Sequence, residues 1–167
     1  VLIEAGPRVL GAFPPELSDY AKAALEELGV EVALGQPVTQ CTAHEVVYGG
    51  NRLPTRTIIW AAGVRASPAA EWLNAPADRA GRLQVLADLT VPGHPEIHAI
   101  GDTVAVLAPD GKPVPGIAPA AKQQGRYVAG VIQARLDGRP APAPFRYRHD
   151  GSLATIGKRR AVVDFGR

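Results

Sequence analysis

Three stretches of this sequence could do chemistry. The first is Ile100-Gly101-Asp102, which closes the apolar run Glu96-Ile97-His98-Ala99. A glycine there lets the backbone approach a ligand closely. An aspartate accepts hydrogen bonds from sugar or ribityl hydroxyls without a metal. Ligands of open parallel sheets sit just outside the carboxyl ends of strands, so the pattern suits a nucleotide cofactor. The same residues also suit an ordinary turn aspartate. The second stretch is Val1-Leu2-Ile3-Glu4, an apolar strand that ends in an acid. In a dinucleotide fold that acid bonds the adenosine ribose, and its charge disfavours a 2′-phosphate, which would select NADH. A solvated strand-end carboxylate fits the residue as well. The third is Ala118-Pro119-Ala120-Ala121-Lys122-Gln123-Gln124-Gly125, the opening of a long helix. Its first-turn amides are free donors and the helix dipole adds partial positive charge, which suits an electron-rich isoalloxazine edge. Gln123 and Gln124 read equally well as solvated helix residues.

Bulk composition narrows the classes. A hydrophobic content of 46% over 167 residues supports a buried core, and a net charge of +2 carries no strong nucleic-acid footprint. Cys41 is the single cysteine. The sequence therefore has no internal disulfide, no Cys-x-x-Cys redox pair and no cysteine-based metal site. His44 and Glu45 read as turn residues, with no second ligand cluster nearby to make a metal site. No run of about 18 apolar residues occurs. Pro and Gly are frequent but punctuate periodic segments rather than marking disorder.

The elements that must position those stretches alternate between strand and helix. Pro14 to Leu28 has apolar residues at helical spacing, Pro15 in its first turn and Gly29 just past its end. Leu17, Leu25 and Leu28 read as its packing stripe. Val30 to Leu34 follows as a strand, so the start of the chain reads β-α-β, the unit of a parallel sheet. Val38 to Val47 and Asn51 to Leu53 read as a hairpin around Tyr48-Gly49-Gly50. Thr57-Ile58-Ile59-Trp60-Ala61 reads as a buried strand closing at Ala62-Gly63, where small residues permit a chain crossing or close cofactor approach. Pro68 to Leu73 reads as a short helix with a packed Trp72. Gly81 to Val85 opens a second region. Ile117 to Leu136 is the long helix, Phe145 to Arg148 alternates like a strand, and Ser152 to Gly157 with Ala161 to Phe165 form a hairpin around Lys158-Arg159-Arg160. That basic turn reads as solvated, with a membrane-surface role as the sharper alternative. Val1 lies inside an apolar strand and Arg167 follows a strand-like run; the expectation is a piece of a longer protein.

The order Val1-Leu2-Ile3-Glu4-Ala5-Gly6, Thr57-Ile58-Ile59-Trp60-Ala61-Ala62-Gly63, Ala99-Ile100-Gly101-Asp102, Ala118 to Gly125 and Leu153-Ala154-Thr155-Ile156-Gly157 resembles the two-dinucleotide-binding-domain flavoproteins. Among them it is most similar to bacterial type II NADH dehydrogenase, the single-subunit NADH:quinone oxidoreductase. The resemblance implies an α/β fold made of parts of two Rossmann-like domains, with the NADH domain inserted in the FAD domain. Residues 1–77 would be the later half of the NADH domain, 78–144 the returning FAD segment and 145–167 the start of the carboxyl-terminal region. Glu4 would hold the NADH ribose, and Ala62 and Gly63 would lie near the nicotinamide. Gly101 and Asp102 would meet the ribityl or pyrophosphate part of FAD. Ala120 and Ala121 would offer amides to the flavin pyrimidine edge, while Gln123 and Gln124 would border the quinone. The family's helix usually reads Ala-Gln-x-x-x-Gln; Ala118 and Gln123 fit, but Pro119 replaces the first Gln.

In the parent, that resemblance implies hydride transfer from NADH to FAD and electron delivery to a membrane quinone, with no protein nucleophile. It places the parent on the cytoplasmic face of the bacterial inner membrane, held by a segment beyond Arg167, and both glycine-rich phosphate loops before Val1. Apolar surface left where neighbouring strands would pack implies self-association or a homodimer. Two alternatives stay open: a soluble FAD-dependent reductase with a protein acceptor such as ferredoxin, and a non-catalytic fragment. The lack of a cysteine pair argues against a disulfide reductase.

Overall fold

The structure is a computed structural model that describes residues 1–166. Arg167 lies outside the described residues. The chain forms two units, one of Val1–Ala61 with the chain from Asp150 onward, the other of Ala62–His149. These limits fall elsewhere than the sequence boundaries at 77/78 and 144/145.

In the first unit, β1 (Leu2–Glu4) pairs in parallel with β2 (Val32–Leu34), with Glu4 opposite Leu34. Helix α1 (Pro15–Glu27) joins them. Pro15 enters at the first helical position, where its missing N–H costs nothing. Gly29, at φ 82°, closes the helix: its amide bonds Glu26 O, and the Val30 amide bonds Leu25 O. That paired bonding satisfies carbonyls a helix end leaves orphaned. Leu17 and Leu25 pack with Ala21 and Ala24 in one cluster. Leu28 does not: it is 57% exposed, because the helix has already ended there. Ser18 takes a place on the buried face instead and donates to Leu10 O.

The expected long strand from Val38 to Val47 is broken in two. β3 (Val38–Cys41), β4 (Glu45–Tyr48) and β5 (Asn51–Pro54) make an antiparallel sheet. Thr42 Oγ1 accepts from the amides of His44 and Glu45, a side-chain turn that competes with strand pairing. Glu45 is a strand residue rather than a turn residue, and it pairs with Arg52 across the β4–β5 pair. That guanidinium's hydrogen bond holds the Glu45 carboxyl below the usual carboxylate range.

Residues 57–61 are not a strand. The run is exposed, with Ile59 at 87% and Trp60 at 65%. Apolar, β-branched residues make it fit to pair, but no described backbone pairs with it, and a lone strand has no ladder to satisfy its polar groups.

The second unit begins with an irregular run and α2 (Ala69–Trp72), whose Trp72 is 74% exposed rather than packed. Its inward residue is Ala70, in a cluster with Leu83 and Val91. β6 (Leu83–Gln84) comes next, then β7 (Thr90–Val91) and β8 (His94–His98) as an antiparallel pair. The run before Gly101 is therefore strand only to His98, and its partner is antiparallel. A 3₁₀ turn, Gly101–Thr103, leads into β9 (Val104–Ala105), which pairs in parallel with β6. Helix α3 (Ala118–Leu136) packs Ala120, Val128 and its neighbours against Leu89, Val104, Val114 and Phe145. Phe145 to Arg148 keeps the alternation of a strand without being one: Phe145 is buried, Tyr147 half-buried, Arg146 and Arg148 exposed.

The tail returns to the first unit as a hairpin of β10 (Ser152–Ile156) and β11 (Arg160–Asp164). Ile156 and Val162 pack on Ala21 and Ala24 of α1. Arg160, expected in the basic turn, is the first residue of β11 and pairs with Glu27 at 2.6 Å.

Candidate functional site

Each unit holds one of the two candidate acids, Glu4 at the end of β1 and Asp102 in the 3₁₀ turn after β8, with a glycine close by. In the first unit the chain leaves β1 at Glu4 and turns through Ala5-Gly6-Pro7-Arg8. Glu4 Oε1 accepts from the Gly6 amide at 2.7 Å. The loop is clasped from the β2 side, where the Gly35 amide bonds Gly6 O and the Gln36 amide bonds Glu4 O. This leaves an open hollow of about 330 Å³ at the carboxyl end of the parallel pair, lined by Glu4, Gly6, Pro7, Arg8 and Gly11. A β-carbon at Gly6 would lie 3.1 Å from Glu4 Oε1 and push against the carboxylate. Arg8 folds back along the loop, its guanidinium at 3.5 Å from both Phe13 O and Gly11 O. The hollow thus offers one carboxylate oxygen not used by the loop, and one cation. Sequence reasoning found Glu4 and missed Arg8; its offset of four from a strand-end acid carries no signal by itself.

In the second unit, Gly101 adopts φ 78° at the start of the 3₁₀ turn. Its amide donates to Gln124 Oε1 at 2.6 Å. Gln124 lies on α3 and is 3% exposed, so a buried amide side chain holds the loop to the helix. Asp102 is exposed and makes no hydrogen bond or ion pair among the described residues. Gly116 approaches it, since a β-carbon there would lie 3.9 Å from Asp102 Oδ1. Thr103 Oγ1 lies 2.5 Å from Ser67 Oγ, a bond that ties the segment after Gly63 to the turn. Ala62 and Gly63 themselves are exposed, Gly63 at φ 100°, and no hydrogen bond joins them to the Gly101 turn among the described residues.

The start of α3 differs from expectation in its donors. Pro119 has no N–H, and the Ala121 amide is already bonded to Ile117 O at 3.1 Å. Ala121 is therefore not the free donor expected of it. The unspent first-turn amides are those of Ala118 and Ala120. Gln124 is not a solvated residue either, because Ala120, Gln124, Val128 and Val131 share the buried face. Gln123 uses its whole amide locally. Its Nε2 donates to Arg148 O at 2.8 Å and its Oε1 accepts from the Arg148 amide at 2.9 Å.

The second unit also holds a hollow of about 510 Å³ bordered by Gln84, Val85, Val106, Leu107 and Val114. It is mostly apolar and none of the expected site residues lines it. Among the described residues no group of three His, Cys, Asp or Glu is placed to share a metal, and no helix is long and apolar enough to cross a membrane.

Residues 1–125 match the family described as Pyridine nucleotide-disulphide oxidoreductase. The chain is 38% identical over 99% of its length to the type II NADH:quinone oxidoreductase of Mycobacterium tuberculosis and covers 37% of that protein. It spans about two fifths of the length of the curated relatives it matches. Among solved structures it resembles NDH2 of Plasmodium falciparum in complex with NADH, at a TM-score of 0.81 and 20% identity over 98% of this chain and 49% of that one. It also resembles a ferredoxin reductase of Rhodopseudomonas palustris, at a TM-score of 0.72 and 26% identity over 87% of this chain and 37% of that one.

Proposed function

The chain belongs to the pyridine nucleotide-disulphide oxidoreductase family, and on that premise we propose that it forms part of a flavoprotein whose full-length parent oxidises NADH and reduces a quinone. The observation that carries this reading is the Glu4 hollow. It lies at the carboxyl end of a parallel strand pair, where such folds take a nucleotide, and it presents a carboxylate to a ribose diol. The likeness to type II NADH:quinone oxidoreductases supports the acceptor.

Both sites fit their groups by the chemistry of their atoms. Glu4 accepts ribose hydroxyls, and its charge disfavours a 2′-phosphate. Gly101 and Asp102 take the ribityl or pyrophosphate end of FAD, with Gln124 holding the turn in place through Gly101. Ala118 and Ala120 offer amides at the flavin edge, with Ala62 and Gly63 on the nicotinamide side. Gln123 borders the quinone and fixes the Arg148 segment beside it. Bound flavin supplies the electron chemistry; the chain supplies position and electrostatics. In this reading residues 1–77 belong to the NADH domain, 78–144 to the FAD domain and 145–167 to the carboxyl-terminal region. The parent acts as a peripheral enzyme at the cytoplasmic face of the inner membrane, with self-association through the exposed apolar run at residues 57–61.

The test is a flavin absorbance scan of the purified chain after incubation with FAD and desalting, followed by NADH. Retained flavin that NADH bleaches is the expected result. A colourless chain makes this segment a non-catalytic fragment and moves the activity to the parent. A second reading, a soluble reductase with a protein acceptor, is favoured by Pro119 and by the ferredoxin-reductase likeness. Parent activity with ferredoxin but not with a short-chain quinone would establish it and sink the first.

A further inference from the structure

We propose that Ser67 and Thr103 are positioning residues for hydride transfer, their hydroxyl pair setting the spacing between the nicotinamide segment Ala62–Gly63 and the flavin turn Gly101–Asp102. The proposal rests on the NADH and FAD assignments above. All six residues lie in the second unit. Little else holds the segment. Residues 62–66 make no hydrogen bond among the described residues, and none of their side chains enters a core cluster. Ser67 is the first residue after them that is tied, its Oγ 2.5 Å from Thr103 Oγ1. Both ends of that clasp stand on one buried residue. After Ser67 the chain enters α2, whose Ala70 packs with the fully buried Leu83. After Thr103 it enters β9, where Val104 is the partner of the same Leu83. The flavin turn is fixed from its other side by Gln124 through Gly101.

Spacing is what such a clasp can set. Direct hydride transfer needs the reacting atoms held close, and a misplacement of about 1 Å can cost about a hundredfold in rate. Serine and threonine reach out through a single side-chain torsion, and the β-branch of Thr103 restricts it further. The pair therefore fixes a distance more tightly than long side chains would. Ser67 is exposed and Thr103 half-buried, so water can satisfy either hydroxyl when the other is removed. Losing the clasp should loosen geometry without unfolding the unit.

The experiment is rapid mixing of NADH with the FAD-loaded full-length parent, following flavin absorbance with no quinone present. The variants are Thr103→Val, Ser67→Ala and the two together. The limiting rate should fall about tenfold in either single variant and no further in the double. Half-saturating NADH should stay within about twofold, because the pair touches neither ligand, and flavin content should not change. Thr103→Ser keeps a hydroxyl and should recover most of the rate. A second readout needs no NADH. Arg65 is exposed and two residues before Ser67, and trypsin cleavage after it, read by mass spectrometry, should quicken in Thr103→Val, whose change lies outside the cleaved sequence. Equal rates in wild type and variants overturn the proposal and leave the functional reading standing. So do single losses that multiply in the double, unchanged cleavage after Arg65, or a loss confined to NADH affinity or flavin content. If Thr103→Val sheds its flavin, the exposed Ser67→Ala decides. Wild-type flavin that NADH does not bleach overturns the functional reading itself, and the hydride role with it.

Discussion

The two candidate acids, Glu4 after β1 and Asp102 in its 3₁₀ turn, are supported in opposite ways. Glu4 organises its own loop: one carboxylate oxygen is taken by the Gly6 amide, and the other faces the hollow. Asp102 organises nothing among the described residues. Its turn is held by Gln124, a buried amide reaching from α3 to Gly101. On the proposed reading, the ligand-facing group and the structural group are one side chain in the first unit. In the second they are two, and the acid is left wholly available. Damage to structure and damage to binding should separate in the second unit and stay entangled in the first.

The largest expected effect tests the structural half of that contrast. Gln124→Leu removes the acceptor from a partly buried Gly101 amide and should cost about 1–3 kcal/mol in denaturant unfolding. It should also lower FAD retention, because the Gln124 side chain ties the Gly101 turn to α3. Glu4→Ala removes the acceptor from the Gly6 amide at a site water reaches, so it should cost less, about 0.5–1 kcal/mol. Equal costs for the two would break the comparison.

The next effect tests the binding half. Glu4→Gln keeps an oxygen for Gly6 and loses the charge. Because charge-assisted bonds contribute about 1.5–3 kcal/mol, NADH affinity measured calorimetrically should fall at least about tenfold, and discrimination against NADPH should shrink. Asp102→Asn should lower FAD retention while unfolding free energy stays within about 0.5 kcal/mol of wild type. If Asp102→Asn destabilises as strongly as Gln124→Leu, the acid is structural and the division of labour is wrong. Gly6→Ala sharpens the same point, since its β-carbon presses on Glu4 while leaving every polar group in place.

Local chemistry made part of this arrangement legible. The α1 and α3 limits were readable from apolar spacing, Pro15 and the glycine after α1, and the β10–β11 hairpin from its alternation. Glu4 and Asp102 were readable because an acid after an apolar run needs no partner to be noticed. Pairing was not readable. Thr57 to Ala61 has the composition of a strand, but composition cannot supply the neighbour. Leu28 failed because helical spacing holds only while the helix lasts, and Trp72 because the four-residue α2 turns only Ala70 inward. Gln124 was read as a quinone-border or solvated residue, and its buried bond to Gly101 was missed although a signal existed. It shares a stripe with Ala120, Val128 and Val131, and a polar group on an apolar face must find a bond. The Gln123–Arg148 bonds had no such signal, because 25 residues separate the partners.

A third carboxylate gives the finest test of the contrast between tied and untied acids. Burial pushes the Asp88 carboxyl up, but the hydroxyl and amide of Thr90 and the nearby His98 outweigh that and hold it below the usual carboxylate range. A depressed folded value means that protons bind the unfolded chain more readily. The stability Asp88 contributes is thus complete above about pH 4 and lost as pH falls through its lower folded value. Because the residue is exposed, screening keeps that contribution below about 1 kcal/mol. Unfolding of wild type and Asp88→Asn should therefore differ at pH 7 and converge toward pH 3 (roughly the acid edge of carboxylate titration). A gap for Asp88→Asn that persists unchanged into acid would mean that Thr90 bonds the asparagine as well as the aspartate, and that being tied to the backbone sets geometry without setting charge.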